Sequence, residues 1–178
     1  NTSIITMGKM IEVAIESSIL ALMSNDAESA DSIIKADDSI DEKEREIEQH
    51  CIKLLLQQQP MATDLRFITA ALKMVTDMER IGDHAGDVAD LLKKMCAVNV
   101  NGQDVLGKYI NSQLNEMGSA IQIMIKDSIR AYINRDIDLA KRIISSDDVV
   151  DELYHTIKRE LIWQIQNKTA LGEQIADY

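Results

Sequence analysis

The chain has 178 residues, enough to bury a hydrophobic core in one or two compact units. One proline, seven glycines and 3% aromatic residues argue against a turn-rich all-β architecture and favour an all-α protein. A formal net charge of −11 argues against nucleic acid as the main partner, because phosphate binding requires a basic surface. No apolar run approaches the roughly 20 residues needed to cross a bilayer.

The spacing of apolar residues is helical from end to end. Steps of three and four place one face of each segment toward a core. The pattern predicts helices at 7–24, 26–58, 61–97, 104–133 and 136–168, and the start of a sixth from about 170. Asp26 is predicted to cap the second helix, with Glu28 as a capping-box acid, and Pro60 suits the first turn of the third. Cys51 and Cys96 occupy apolar positions, which predicts reduced core cysteines in a cytoplasmic protein.

The sequence contains an internal duplication at an offset of 110 residues. Between Met7 and Ile52, 17 of 46 positions are identical to those of 117–162, without a gap. Such a repeat indicates one supersecondary unit used twice. Short connections make consecutive helices antiparallel neighbours. We therefore predict two tandem up-down-up three-helix bundles, at 1–98 and 104–178, of which the second has an incomplete third helix.

Three pairs of acidic residues recur at a spacing of four. They are Asp37 with Asp41, Glu79 with Asp83, and Asp147 with Asp151. Residues four apart lie one turn above each other on a helix, so each pair presents two carboxylates on one side. Carboxylate oxygens are hard ligands that suit magnesium, calcium, manganese, or oxygen-bound iron and zinc. The repetition of the first pair in the second unit favours a metal-binding role, although a solvated acidic face explains any single pair.

The first two pairs are predicted to meet across the second and third helices. Asp41 precedes Pro60 by 19 residues and Glu79 follows it by 19. In an antiparallel hairpin with about 1.5 Å of rise per residue, the pairs return to nearly the same height. Four carboxylates gathered there repel each other unless cations or protons neutralise them. His84 is a weaker ligand candidate, and a surface position suits it better.

Three stretches of the sequence closely resemble the PhoU family. They are Asp37–Asp41, Gln59–Arg66 and Glu79–Ala85, and the resemblance extends from Met7-Gly8 to the end of the chain. It implies tandem three-helix bundles whose acidic pairs bind multinuclear metal clusters. Iron, zinc, magnesium and manganese are the candidate metals. Asp37, Asp41, Glu79 and Asp83 would form the first site, and Asp147 and Asp151 half of the second. Its remaining ligands would lie 110 residues after Glu79 and Asp83, at 189 and 193.

The resemblance also implies a function without catalysis. Proteins of this family are regulators of phosphate uptake and of the phosphate-starvation response. They are thought to link the ATPase subunit of the phosphate ABC transporter to a sensor histidine kinase, and so to approach the membrane only through partners. A cytoplasmic homodimer that binds no nucleic acid is expected.

Two other classes of protein remain as alternatives. A ferritin-like di-iron carboxylate protein needs Glu-x-x-His on two helices. Glu152 and His155 have that spacing, but the equivalent stretch 42–45 reads Glu-Lys-Glu-Arg. The second alternative is a purely structural helical adaptor whose acids bind basic partner surfaces. No P-loop, nucleophile elbow or cysteine–histidine metal spacing supports another enzyme.

Overall fold

The structure, a computed structural model, describes the backbone of residues 1–97 and 102–167 and the side chains of residues 1–97 and 107–167. Within these ranges it consists of five α-helices and contains no strand. The helices are α1 (Thr2–Ser24), α2 (Ala27–Gln58), α3 (Ala62–Ala97), α4 (Gly102–Asn134) and α5 (Ile137–Asn167). The predicted all-α fold is confirmed. None of these described helices is long and apolar enough to cross a membrane.

The first three helices form one bundle around a shared core. Each packs against the other two, and buried side chains such as Met7, Ile40 and Val75 meet in the core from α1, α2 and α3. Helix α1 begins at Thr2, five residues before the predicted start, because Ile4 continues the buried stripe of Met7 and Ile11. Cys51 is buried and Cys96 is half-buried, and both are free thiols.

The turns α1–α2 and α4–α5 have the same structure at the predicted offset. Asn25 and Arg135 both adopt left-handed backbone angles, with φ of 57° and 54°. Asp26 and Asp136 follow them and donate their backbone N–H groups to the carbonyls of Ala21 and Ala131. Their side chains then cap the next helix. Asp26 accepts from two backbone N–H groups and Asp136 from one. Ser29, rather than the predicted Glu28, returns a side-chain hydrogen bond to the cap.

Helices α4 and α5 pack against each other, and α4 packs on α1. The contact is reciprocal, because Gly8 faces Ile129 and Gly118 faces the equivalent Ile19. In both cases a Cβ on the glycine would lie 2.3 Å from the isoleucine Cδ1. This is the arrangement expected of two repeats related by a pseudo-two-fold axis.

One departure and two open predictions concern the second repeat and the division of the chain. The chain bends at Gly107, whose φ of 64° and ψ of 172° are not helical, so α4 is not one straight helix. Gly107 has the left-handed φ that glycine adopts readily. The predicted sixth helix near residue 170 lies outside the described residues. The bundle limits of 1–98 and 104–178 stay a prediction.

Candidate metal centre

Three of the predicted acids lie together between α2 and α3. Asp37 and Asp41 come from α2, and Asp83 comes from α3. One carboxylate oxygen from each residue lies within 4.8 Å of the other two. All three side chains are half-buried. The structure therefore joins the two helices at the place that the Pro60 reversal predicts.

Asp37 lies over two glycine residues of α3. A Cβ on Gly82 would lie 3.4 Å from Asp37 Oδ1, and one on Gly86 would lie 3.4 Å from Asp37 Oδ2. Gly82 also faces Ile40, one turn after Asp37, and Ile40 is almost fully buried. The two helices approach closely at Gly82, where a Cβ would lie only 3.0 Å from Ile40 Cδ1. Asp37 is thus held against the backbone surface of α3.

The position of Asp37 is costly without a neutralising partner. Burial raises the pKa of its carboxyl above the usual value, and the nearby charges of Asp83 and Asp41 raise it further. Asp37 Oδ1 is buried and receives no hydrogen bond from the described part of the chain. A buried acceptor without a partner is unfavourable, and a cation or a proton removes the penalty.

Glu79, the fourth predicted ligand, is not among the three clustered residues. Burial raises the pKa of its carboxyl, and the charge of Asp83 is the next cause, followed by those of Glu44 and Asp41. Glu79 therefore lies near the charges of Asp83, Glu44 and Asp41. Its role as a ligand stays a prediction.

Glu44 belongs to this acidic surface and was missed in the sequence analysis. It lies one turn beyond Asp41, and burial raises the pKa of its carboxyl, while a hydrogen bond with the Thr76 side chain on α3 acts in the opposite direction. The signal was present, because Asp37, Asp41, Glu44 and Glu48 follow the four-three-four spacing of one helix face. Gly86 was missed as well, and its spacing of four from Gly82 is the pattern that permits close helix approach.

The second predicted site has a different environment. Asp147 and Asp151 are both exposed on α5, and no third metal-binding side chain joins them among the described residues. In the first repeat the equivalent acids are half-buried because α3 covers them. The assignment of Asp147 and Asp151 to a second metal site stays a prediction.

The alternative ligands have no comparable arrangement. His84 is exposed, and its Nδ1 lies 3.5 Å from Asp87 Oδ2 rather than in the cluster. Glu152 and His155 are exposed on α5, whereas a di-iron protein directs such residues into the bundle core. Arg45, on the other hand, contacts the cluster, with its Nη2 3.2 Å from Asp41 Oδ2.

A groove of about 830 Å³ lies elsewhere in the molecule, between α1, α3, α4 and α5. Its lining is largely apolar and includes Met74, Met78 and Met124. Asp77 and Asp147 are its two aspartates. Such a surface suits another protein segment better than a cation or phosphate. The α2–α3 cluster is therefore the candidate centre.

The clustered residues fit a hard metal ion. Three carboxylates from two helices provide anionic oxygen ligands, and the buried Asp37 Oδ1 has a free lone pair. Oxygen-rich sites of this kind suit magnesium, calcium, manganese and oxygen-bound iron. Three carboxylates would leave the rest of the ion's coordination sphere to water or other oxygen ligands.

Comparison with known proteins identifies the family. The model of the PhoU domain matches residues 4–92 and 114–178. Curated relatives are phosphate-specific transport system accessory protein PhoU homologues of Aquifex aeolicus, 39% identical over 89% of this chain, and Clostridium acetobutylicum, 40% over 91%. The PhoU protein of Escherichia coli is 31% identical over 90%. This chain spans 69%, 71% and 64% of the lengths of these three relatives.

Solved structures agree with the sequence matches. The crystal structure of PhoU from Pseudomonas aeruginosa superposes with a TM-score of 0.85 at 29% identity, over 98% of this chain and 81% of the other. The phosphate transport system regulatory protein PhoU from Streptococcus pneumoniae gives 0.81 at 27%, over 94% and 75%. The two matched segments follow the two halves of the duplication. The chain therefore belongs to the PhoU family.

Proposed function

We propose that the chain is a metal-binding regulator of phosphate uptake and phosphate-starvation signalling, without catalytic activity of its own. The printed names of its relatives, accessory and regulatory proteins of phosphate transport, support the phosphate role. The observation that carries the metal-binding part is the meeting of Asp37, Asp41 and Asp83 between α2 and α3.

The metal would join two helices that otherwise repel each other at this point. Asp37 and Asp41 would hold the ion from α2 and Asp83 from α3, and Glu79, the fourth predicted ligand, would join them if its carboxylate turns toward Asp83. Arg45 would orient the Asp41 carboxylate through its ion pair. The bound ion supplies positive charge, which relieves the repulsion among the carboxylates and fixes the spacing of the two helices.

The regulatory part of the proposal is an adaptor role in the cytoplasm. The chain would contact the ATPase subunit of the phosphate transporter and the sensor histidine kinase, reach the membrane through them, and assemble as a homodimer. The formal charge of −11 suits basic surfaces on such partners.

The adaptor role is tested by affinity capture from bacteria grown in plentiful phosphate. The tagged chain should retain the transporter ATPase and the kinase, and Asp37→Asn/Asp83→Asn should retain less of them. A control variant, Asp38→Asn/Glu42→Gln, removes the same charge from exposed positions on α2 and should behave like the wild type. Recovery of neither partner by the wild type would contradict the adaptor role.

The same capture separates this proposal from a purely structural adaptor. If the acids only meet basic partner surfaces, a chelator leaves partner binding unchanged. If a metal orders the α2–α3 surface, the chelator should reduce binding by the wild type and have no further effect on Asp37→Asn/Asp83→Asn.

A further inference from the structure

A cavity of about 570 Å³ lies where the start of α3 meets the turn between α4 and α5. Four of its lining side chains carry hydrogen-bond donors. They are Thr63 and Arg66 from α3, Ser128 from α4, and Arg135 from the turn. None of them belongs to the carboxylate cluster between α2 and α3. We call this site the Arg66/Arg135 cavity.

Packing holds Arg135 in place at this cavity. Its guanidinium carbon lies 4.9 Å from the centre of the Phe67 ring. Phe67 in turn stacks on Tyr132, with ring centres 4.3 Å apart and ring planes 8° from parallel, and the Tyr132 hydroxyl donates to the Phe67 carbonyl at 3.0 Å. A contact with an aromatic ring positions a guanidinium without giving its N–H groups an oxygen acceptor. Arg135 is therefore oriented but still able to bind an anion.

The two arginines of the cavity lack the acidic partners that other arginines have. Arg45, Arg80 and Arg130 each lie within 4.0 Å of an aspartate on the same helix. Arg66 and Arg135 form no such ion pair with any residue that the structure describes. Two positive charges thus line one cavity without an anion from the described chain.

The hydroxyl groups of the cavity are also unpaired. Ser18, the equivalent of Ser128 under the 110-residue repeat, donates to the Ile15 carbonyl at 2.9 Å. Within the described ranges, neither Ser128 Oγ nor Thr63 Oγ1 makes a hydrogen bond. Thr63 lies in the first turn of α3, where backbone N–H groups have no acceptor inside the helix and partial positive charge collects.

The acceptors of the lining, in contrast, are occupied. Asp136 is the acidic residue of the lining, and its Oδ1 accepts a hydrogen bond from the Leu139 N–H at 2.9 Å. The Phe67 carbonyl accepts from Tyr132. The cavity therefore has a surplus of donors and positive charge, which suits an anion rich in acceptor oxygens.

The arginine pair is not a requirement of the repeated fold. Asn25 occupies the position equivalent to Arg135, and Ala176 the position equivalent to Arg66. Asn25 and Arg135 have the same left-handed backbone conformation, so the turn forms with either side chain. A role in binding explains two arginines that the turn itself does not need.

We propose that the Arg66/Arg135 cavity binds a phosphate group, either as the free ion or as a monoester of a small organic molecule. Two guanidinium forks and two hydroxyls offer more donors than the two oxygens of a carboxylate can use, whereas a phosphate group has at least three terminal oxygens. Phe67 and Ile137 provide an apolar wall for the organic part of an ester. The inference goes beyond the proposed function and requires neither metal nor a protein partner.

The test is isothermal titration calorimetry of the chain with inorganic phosphate and with phenyl phosphate, in chelator and at constant ionic strength. The wild type should bind both at one saturable site. Tighter binding of phenyl phosphate would identify a monoester as the ligand, and equal binding the free ion. Arg66→Gln/Arg135→Gln should weaken both at least about tenfold. Its circular dichroism and melting temperature should stay close to those of the wild type, since both arginines are exposed.

The matched control is Arg142→Gln/Arg159→Gln, which removes the same charge from exposed positions of α5 outside the cavity. It should bind like the wild type. Benzoate, which pairs the same ring with a carboxylate, should bind at least about tenfold more weakly than phenyl phosphate.

Three results would overturn the proposed site. They are a wild type without saturable binding through the millimolar range, an Arg66→Gln/Arg135→Gln variant that binds no more weakly than the control, and benzoate that binds as tightly as phenyl phosphate. None of these results depends on whether the chain binds metal or contacts a transporter.

Discussion

Asp37 is the residue at which packing and charge oppose each other most directly. Its carboxylate is held against Gly82 and Gly86, close to Asp41 and Asp83, with one oxygen buried and unpaired in the described part of the chain. Carboxylates gathered to bind a cation destabilise the folded state when no cation is bound, and a bound cation removes this cost. The raised pKa of Asp37 reports that cost for the metal-free protein.

The pH dependence of stability measures this cost. The folded-state pKa of Asp37 is above its usual value of 3.8, so the folded protein holds this proton more tightly than the unfolded chain does. The ionised carboxyl therefore destabilises the fold at neutral pH, and the cost disappears as pH falls through the raised pKa. Asp37→Asn should be more stable than the wild type at neutral pH in chelator, by roughly 0.2–0.5 kcal/mol, the size of a like-charge pair one turn apart.

Denaturant unfolding of both proteins in chelator, from neutral pH toward about pH 4, gives the comparison. The advantage of Asp37→Asn should shrink as the wild-type carboxyl becomes protonated. An advantage that is constant with pH, or a variant less stable than the wild type at neutral pH, would show that Asp37 bears no such charge strain.

At the scale of the helices, the glycines of α3 control how closely α2 approaches. A Cβ on Gly82 would lie 3.0 Å from Ile40 Cδ1 and 3.1 Å from its Cγ2, and Ile40 is packed in the core. At Gly86 the nearest atoms are those of Asp37, at ordinary contact distance. The two positions differ in packing but share the helix and the neighbouring acid.

These glycines allow a matched pair of alanine substitutions. Gly82→Ala should lower the free energy of unfolding by about 1 kcal/mol, because overpacking against Ile40 outweighs the gain in helix propensity. Gly86→Ala should leave stability unchanged or raise it by up to about 1 kcal/mol through that same propensity. Thermal and denaturant unfolding provide the measurement, and equal effects at the two positions would refute the close-approach role of Gly82.

The helices and the general place of the site were readable from the sequence for physical reasons. Asp26 and Asp136 stand between two apolar helical stripes, where a polar residue is expected to cap the helix that follows. Pro60 marks the reversal that brings Asp37 and Asp41 opposite Asp83. The sequence did not predict that the cluster would consist of Asp37, Asp41 and Asp83 without Glu79, because a long side chain on the same face can turn toward either Asp83 or Glu44. Nor was the left-handed bend at Gly107, since glycine permits that conformation without requiring it.

At the scale of the whole molecule, duplication produced two units with unequal surroundings. The first has α3 over its acidic pair, and the second exposes Asp147 and Asp151 among the described residues. Helices α1 and α4 join the units across the pseudo-two-fold axis, away from the acids.

The most direct test of the metal centre is the melting temperature of the chain with chelator and with excess manganese or magnesium, chosen because carboxylates suit them. Binding to the folded state should raise stability by about 2.7 kcal/mol at a free metal concentration about 100 times the Kd. Asp37→Asn/Asp83→Asn should lose that rise, while Asp38→Asn/Glu42→Gln should retain it. If the wild type melts at the same temperature with and without metal, or if the two variants respond equally, the α2–α3 cluster is a solvated acidic surface and not a metal centre.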